Sequence, residues 1–338
     1  MATPIGLAVT MKIRWSLPLS LLSLLLLPSR AAQATPTLAE VCADFHCDAD
    51  GLARAQAGKM VDLKTEDASE RDLSVGFLFM VKRPPAEVAR LFRQGSDLAV
   101  DANVLAAHRV TGAADFASLS LGAHGADEAK RYGSAHPGDE LNLSDAEIAT
   151  FAALGPSASQ ASVEAALRQQ LLARYEAYRA GGLAKIAPYS RGKGVQRQPA
   201  DELRAVLQQA TPIARKYAPA FLAAIVDYPR GRSSNVDESF HWIIYNLDNR
   251  PTATLRHRLT MAVGDGLVAF DRELYVAHGY NVMQAFGGLI PVDGGTVVFY
   301  RAHTNTDQVG GAATAMKHNI GRKVMAKQLQ KIFEHFTK

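Results

Sequence analysis

The chain has 338 residues, 48% of them hydrophobic and 21% charged, with a formal net charge of +4. That balance is ordinary for a globular protein able to bury a sizeable core. The charge is mild and no Lys/Arg run interleaves with aromatics, so nucleic-acid binding finds no support, and only the N-terminal stretch approaches the apolar length of a membrane segment.

Residues 1–34 predict a secretion signal. Lys12 and Arg14 form a positive start, 17–27 an apolar run too short for a comfortable span, and Ala32-Gln33-Ala34 a small-residue cleavage site. Cleavage near Ala34 would leave the protein in the periplasm or secreted. The next stretch, 35–71, is an N-terminal extension holding both cysteines. In an exported protein Cys42 and Cys47 predict a small-loop disulfide. The alternative, a metal held by Cys42, His46, Cys47 and Asp48, would cramp four ligands into one loop. A calcium loop starting here would lack its bidentate glutamate, because Ala57 stands in that place.

From Leu73 to Val81 the residues favour a strand, and Pro85 then suits the first turn of a short helix. Weaker strand patterns cover 103–110 and 115–121. A helical insertion, 140–230, follows. Ser144 with Glu147 forms a capping pair, and helices are expected over 146–154, 162–180, 200–209 and 213–224, the last two separated by Pro212. The loop at 181–198 carries Tyr189, Arg191, Lys193 and Arg197, which surface solvation explains.

After Asp237 the pattern becomes a meander. Phe240 to Tyr245 is rich in strand formers, and 252–261 alternates strictly, with Ala253, Leu255, His257, Leu259 and Met261 on one face. Gly264-Asp265-Gly266 turns the chain into a strand that puts Val268, Phe270, Arg272, Leu274 and Val276 on one side. A linking segment, 278–291, leads to a last strand at 296–304. A closing helix follows, with Ile320, Val324, Leu329, Ile332, Phe333 and Phe336 at helical spacing. Lys317, Arg322, Lys323, Lys327 and Lys331 lie on its other face, towards water or an anionic membrane surface.

A strand running into a Pro-Pro-led helix, further strands, a meander and a long amphipathic helix together resemble the START-like (helix-grip, SRPBCC-type) fold. The resemblance rests on 73–121 and 237–336. It implies an α+β domain, 72–338, whose curved antiparallel sheet wraps around a long C-terminal helix, interrupted by the insertion. The chain is also similar to a group of exported bacterial proteins of undefined role through Glu273-Leu274-Tyr275-Val276-Ala277-His278, Val298-Phe299-Tyr300-Arg301 and Thr306-Asp307-Gln308-Val309-Gly310-Gly311. Such likeness implies a fold and supplies no activity.

Polar side chains on apolar strand faces are the candidate site. His257 stands between Leu255 and Leu259, and Arg272 between Phe270 and Leu274; Tyr275, His278, Arg301 and His303 lie at or near the same strands. The expectation is a cavity between sheet and C-terminal helix that holds a hydrophobic small molecule or lipid, with these groups binding its polar head. No cofactor and no metal are expected, although His257, His278 and His303 fall on successive strands or their ends. Asp307 and Gln308 predict a cap and turn before the last helix. The competing readings are a secreted lipid or ester hydrolase and a non-catalytic envelope scaffold. For the hydrolase, Ser118-Leu119-Ser120-Leu121-Gly122 has a serine where a nucleophile elbow needs its first glycine, and Asp271 and Glu273 are the available carboxylates.

Overall fold

The computed structural model describes residues 35–93, 96–311 and 314–337, so the expected signal lies outside the described residues. Helix α1 (Leu38–Asp44) starts where Thr37 accepts the Glu40 amide and Glu40 reaches back to the Thr37 amide at 2.7 Å. Helix α2 (Ala49–Gln56) is capped by Asp48, which accepts the Gly51 amide at 2.7 Å.

The expected disulfide is not present: Cys42 and Cys47 are free thiols whose sulfurs are not at disulfide distance. The local backbone explains this. Cys42 sits on the buried side of α1 with Val41, Phe45 and Leu78, while His46 takes a left-handed turn that returns the Cys47 amide to the Cys42 carbonyl at 2.9 Å. Burial, and then the neighbouring Cys47 thiol, push the Cys42 thiol up to about 12, so it sits as a neutral apolar group.

The next elements are β1 (Val61–Asp62), β2 (Asp72–Val81), α3 (Pro85–Arg93), α4 (Ser96–Val100) and β3 (Val104–Val110). The strand expected at 115–121 is instead a 3-10 turn, Ala113–Ser118, because the Asp115 carboxylate accepts the Thr111 and Gly112 amides and curls the backbone. The insertion contributes α5 (Gly125–Gly133), α6 (Asp145–Ala152), α7 (Gln160–Gly181), a small hairpin of β4 (Tyr189–Ser190) and β5 (Gln196–Arg197), α8 (Pro199–Tyr217) and α9 (Pro219–Val226). Helix α8 runs through position 212, and the break comes at Pro219.

The meander is β6 (Val236–Leu247), β7 (Arg250–Val263), β8 (Gly266–Val276), β9 (Val282–Val292) and β10 (Gly295–Asn305), closed by α10 (Thr314–Thr337). Strand β9 occupies what the sequence reads as a linker, because its paired glycines look like a break. They are there for packing. A Cβ at Gly288 would stand 2.6 Å from the Phe299 ring, and one at Gly287 3.0 Å from the Phe299 carbonyl.

All pairings are antiparallel, giving an α+β protein with an eight-stranded sheet in the order β1-β2-β10-β9-β8-β7-β6-β3. Its two faces are covered differently. On one, Leu259, Phe270, Phe286 and Phe299 pack under α1, α2, α8 and α9, and Phe240, Trp242 and Leu255 pack under α5, α6 and α7. On the other, Phe77, Phe79, Leu289 and Val298 meet Val88 of α3 and Met325 of α10. Fully burying a Phe or Leu contributes roughly 1.5–3 kcal/mol, so these layers dominate the stability.

The rotation of α10 differs from its sequence periodicity. His318 bonds Asp67 and the Glu70 carbonyl, each at 2.8 Å, Arg322 pairs with Asp67, and Gly321 lies against Leu73, where a Cβ would come within 2.7 Å. These contacts turn Arg322 inward and leave Ile320 and Val324 exposed. The side chains of Leu329, Ile332, Phe333 and Phe336 lie outside the described residues.

Candidate functional site

Two of the six sequence-predicted residues meet, and they do so inside the core. His257 and Arg272 are paired neighbours on β7 and β8 and face the insertion helices. Tyr178 of α7 joins them: the Arg272 guanidinium donates to its hydroxyl at 2.8 Å, and the hydroxyl lies 3.0 Å from His257 Nδ1. His257 Nε2 lies 3.1 Å from Glu238, and Arg272 also donates twice to Gln284, at 3.0 and 3.1 Å. The tautomer consistent with this chain has the Tyr178 hydroxyl donating to Nδ1 and Nε2–H donating to Glu238. Burial lowers His257 to about 4, so the ring is neutral. Burial raises the Glu238 carboxyl, but the hydrogen bonds from His257 and Tyr228 and the charge of Arg232 outweigh it, and the carboxylate is held below its usual range.

Of the other four, Tyr275 and His278 stand apart, while Arg301 and His303 share the wall of one small void. Tyr275 belongs to an aromatic cluster under α7, with the Arg174 guanidinium 4.4 Å over its ring; a bulge between Leu255 and Arg256 brings Leu274 and Tyr275 into the same core. His303 Nδ1 lies 2.7 Å from Asp72. Arg301 lies over the Phe45 ring at 5.6 Å, and it lines, with His303, Gln284 and Val206, a void of about 10 Å³. That is about one water molecule's worth of space. His278 bonds Thr252 at 2.7 Å and lines a different cavity. Asp271 and Glu273 share the opposite sheet face. Asp271 is held by Arg258, and Glu273 by Arg256, Tyr245 and Tyr280. Among the described residues no group of three or more His, Cys, Asp or Glu side chains could hold a metal ion.

The larger cavity, about 740 Å³, opens at the sheet end where β2 and β9 begin and β8 and β10 finish. Arg71 enters it just before β2, Arg191 and Arg197 come from the β4–β5 hairpin, His278 to Asn281 from the β8–β9 connection, and Asp307 and Gln308 from the turn after β10. The hairpin is pressed against the 137–138 turn by glycine contacts: a Cβ at Gly192 would sit 3.0 Å from the Pro137 carbonyl, and one at Gly138 3.1 Å from that of Arg191.

Three guanidinium groups converge on one carboxylate. Asp307 accepts Arg191 Nε at 2.9 Å and lies 2.7 Å from Arg197 Nη2 and 3.3 Å from Arg71 Nε. Arg191 Nη2 also donates to Asn142 at 2.6 Å and Asn281 at 3.1 Å; Asn142 is itself fixed by donating to the Val276 and Tyr280 carbonyls at 2.8 Å. Asn281 then donates to Glu202, in the first turn of α8, at 3.2 Å. Burial pushes Glu202 up to about 7, against the Asn281 hydrogen bond and the charge of Arg197, with Asp307 pushing the same way as burial and Arg71 opposing it. Buried Arg191 Nη1 and Glu202 Oε2 have no hydrogen-bond partner among the described residues. On the far wall Arg250 is taken by Glu128 and Glu140, with Asp139 and Asp248 at the rim.

Positive charge therefore exceeds negative at the Arg71, Arg191 and Arg197 corner, most of all when Glu202 is protonated. Directed donors, unspent hydrogen-bonding capacity and a solvent opening suit an oxyanion. The sequence supplies Arg191, Arg197 and Asp307 as polar loop residues. Arg71, Asn142, Glu202 and Asn281 carry no local signal, since what joins them to Arg191, Asp307 and one another is contacts between segments far apart in the chain. No protein-family model, no curated protein and no solved structure matches the chain.

Proposed function

We propose that this is a binding protein for a small polar molecule carrying a carboxylate or phosphate, held at the Arg71, Arg191 and Arg197 corner of the cleft. The observation that carries this reading is the partnerless Arg191 Nη1, buried beside an open cavity whose other donors are already oriented. An unpaired buried donor costs about 1–3 kcal/mol, which an incoming oxyanion would relieve. Arg197 and Arg71 would share its charge, and Asn142 and Asn281 would keep the Arg191 fork in place. Export, with loss of 1–34, is part of the same proposal.

A second reading, the carrier of a hydrophobic small molecule or lipid, draws support from the strand order. Strand β2 pairs with the last strand β10, β3 lies on the far edge, α3 and α4 come between them in sequence, and α10 packs on the β2 side. A helix-grip reading would expect this order and would put the ligand between sheet and α10. The chemistry of that face favours the cleft instead. Its cavity of about 290 Å³ is lined by Arg93, Arg109, Asp237, Glu238 and Arg258, a poor surface for hydrocarbon.

Native mass spectrometry of the mature protein purified from its own host, followed by organic extraction, separates the two readings. The cleft reading predicts a polar anionic passenger that is lost in the Arg191→Met, Arg197→Met double variant. An apolar, extractable passenger retained by that variant would reject it in favour of the carrier.

A further inference from the structure

The outward side of α10 carries a pattern that the fold does not use. Met316, Ile320 and Val324, spaced by four, are 62%, 57% and 62% exposed. Lys323, Lys327 and Lys331 are also exposed, and helical geometry sets all six within one arc of about 100°. The opposite side is committed: His318 and Arg322 hold Asp67, Gly321 lies on Leu73, and Met325 and Ala326 meet the sheet. The helix is thus fixed in rotation from within, and its apolar stripe cannot turn inward. One carboxylate occurs in its sequence, Glu334, beyond the last of the three lysines.

We propose that this arc docks the protein on an anionic lipid bilayer, with α10 parallel to the surface. The charge pattern selects the partner. Three lysines sharing the arc of a short apolar stripe match a plane of negative headgroups above hydrocarbon: the methionine, isoleucine and valine enter the acyl boundary while the lysine stems lie along it and their ammonium groups reach back to the headgroups. A second copy of the chain would bring more of the same positive charge to the contact and no carboxylate to meet it before Glu334, which disfavours self-association. The surface is separate from the polar cleft and does not depend on a ligand there.

The test uses the chain from Thr35 onward, which forms one compact unit and lacks the apolar signal-like run. Co-sedimentation is measured with vesicles of phosphatidylcholine alone and with 30% phosphatidylglycerol added. Binding is expected only to the anionic vesicles, weakening with salt. The Lys323→Gln, Lys327→Gln, Lys331→Gln variant should bind about a hundredfold more weakly, on the order of fivefold for each lysine. The corresponding three arginine replacements should bind as the unaltered chain does, and Ile320→Ser with Val324→Ser should abolish residual binding without changing Tm. Absence of anionic-vesicle binding, binding unchanged by the glutamine variant, or a concentration-dependent dimer broken by Ile320→Ser would overturn the proposal.

Discussion

The network through Tyr178 and the one through Asp307 use the same kinds of side chain, arginine, carboxylate, amide and histidine or tyrosine, but they differ in closure. Around Tyr178, Arg272, Gln284, His257 and Glu238 bond one another, Phe240 stacks on His257 and Tyr228 on Tyr178, and Gln284 Nε2, which has no hydrogen-bond partner among the described residues, borders a void of only about 10 Å³. Around Asp307, Arg191 and Glu202 each keep a buried polar atom unsatisfied, and Arg191 lines an open cavity of about 740 Å³. A closed network fixes the packing of insertion against sheet. An open one has capacity left for a ligand. Residue type alone does not distinguish them, and a buried arginine or histidine is a poor marker of function unless both its bonding capacity and the space beside it are counted.

The sharpest way to break the comparison is at Tyr178. Replacing it by alanine removes a fully buried ring and leaves Arg272 and His257 short of a partner; we expect a loss of about 3–5 kcal/mol in chemical denaturation. Oxyanion binding by the fraction that remains folded should be unchanged. Equal loss of binding per folded molecule would mean that the two networks are coupled.

Acid should act next on two buried histidines, His257 of the closed network and His278 in the wall of the cleft. His257 is lowered to about 4 and His278, by burial first and then by Arg250, to about 3, whereas an unfolded histidine titrates near 6.5. Between those values the unfolded chain binds more protons, so the stabilisation is full above about 6.5 and is lost as pH falls towards 4. The slope is at most about 1.4 kcal/mol per pH unit for each ring. Unfolding free energies measured at pH 7 and pH 5 should differ accordingly, and a flat profile would contradict the neutral buried assignment.

At the open network the expected effects fall on binding. Arg191→Met should weaken an oxyanion by roughly tenfold to a hundredfold, the size of a lost charge-assisted pair of hydrogen bonds, with little change in stability. Glu202 gives the smallest effect. Because its carboxyl is raised to about 7, it ionises as pH rises through that value and adds negative charge near the ligand, so affinity for sulfate, whose own charge is constant, should decline between pH 6 and 8. Glu202→Gln should flatten that decline. The same group contributes stability that is full below about 4.5 and lost as pH rises through 7, so the variant should also be relatively more stable at pH 8.

Much of the fold is legible in the sequence because strand alternation and turn residues are local. The pattern through His257 yields β7, and Gly264-Asp265-Gly266 yields the turn into β8. Strand β9 is missed because Gly288 answers to the Phe299 ring and Gly287 to the Phe299 carbonyl and the Tyr300 ring on the neighbouring strand, a constraint no window of neighbours contains. The alternation also says which residues share a face, but not which layer covers it. His257 and Arg272 were expected towards the C-terminal helix, yet that face carries Arg258 and Asp271 while they meet Tyr178 of the insertion. The cleft is harder still to read, since Arg71, Asn142, Arg191, Glu202 and Asp307 come from five separate segments.

The most direct test of the central claim is isothermal titration of the chain from Thr35 with sulfate and with succinate at pH 6.5, alongside Arg191→Met and Tyr178→Phe. The account predicts one saturable site, lost in Arg191→Met and retained in Tyr178→Phe. No saturable binding, or binding that survives Arg191→Met intact, would contradict it.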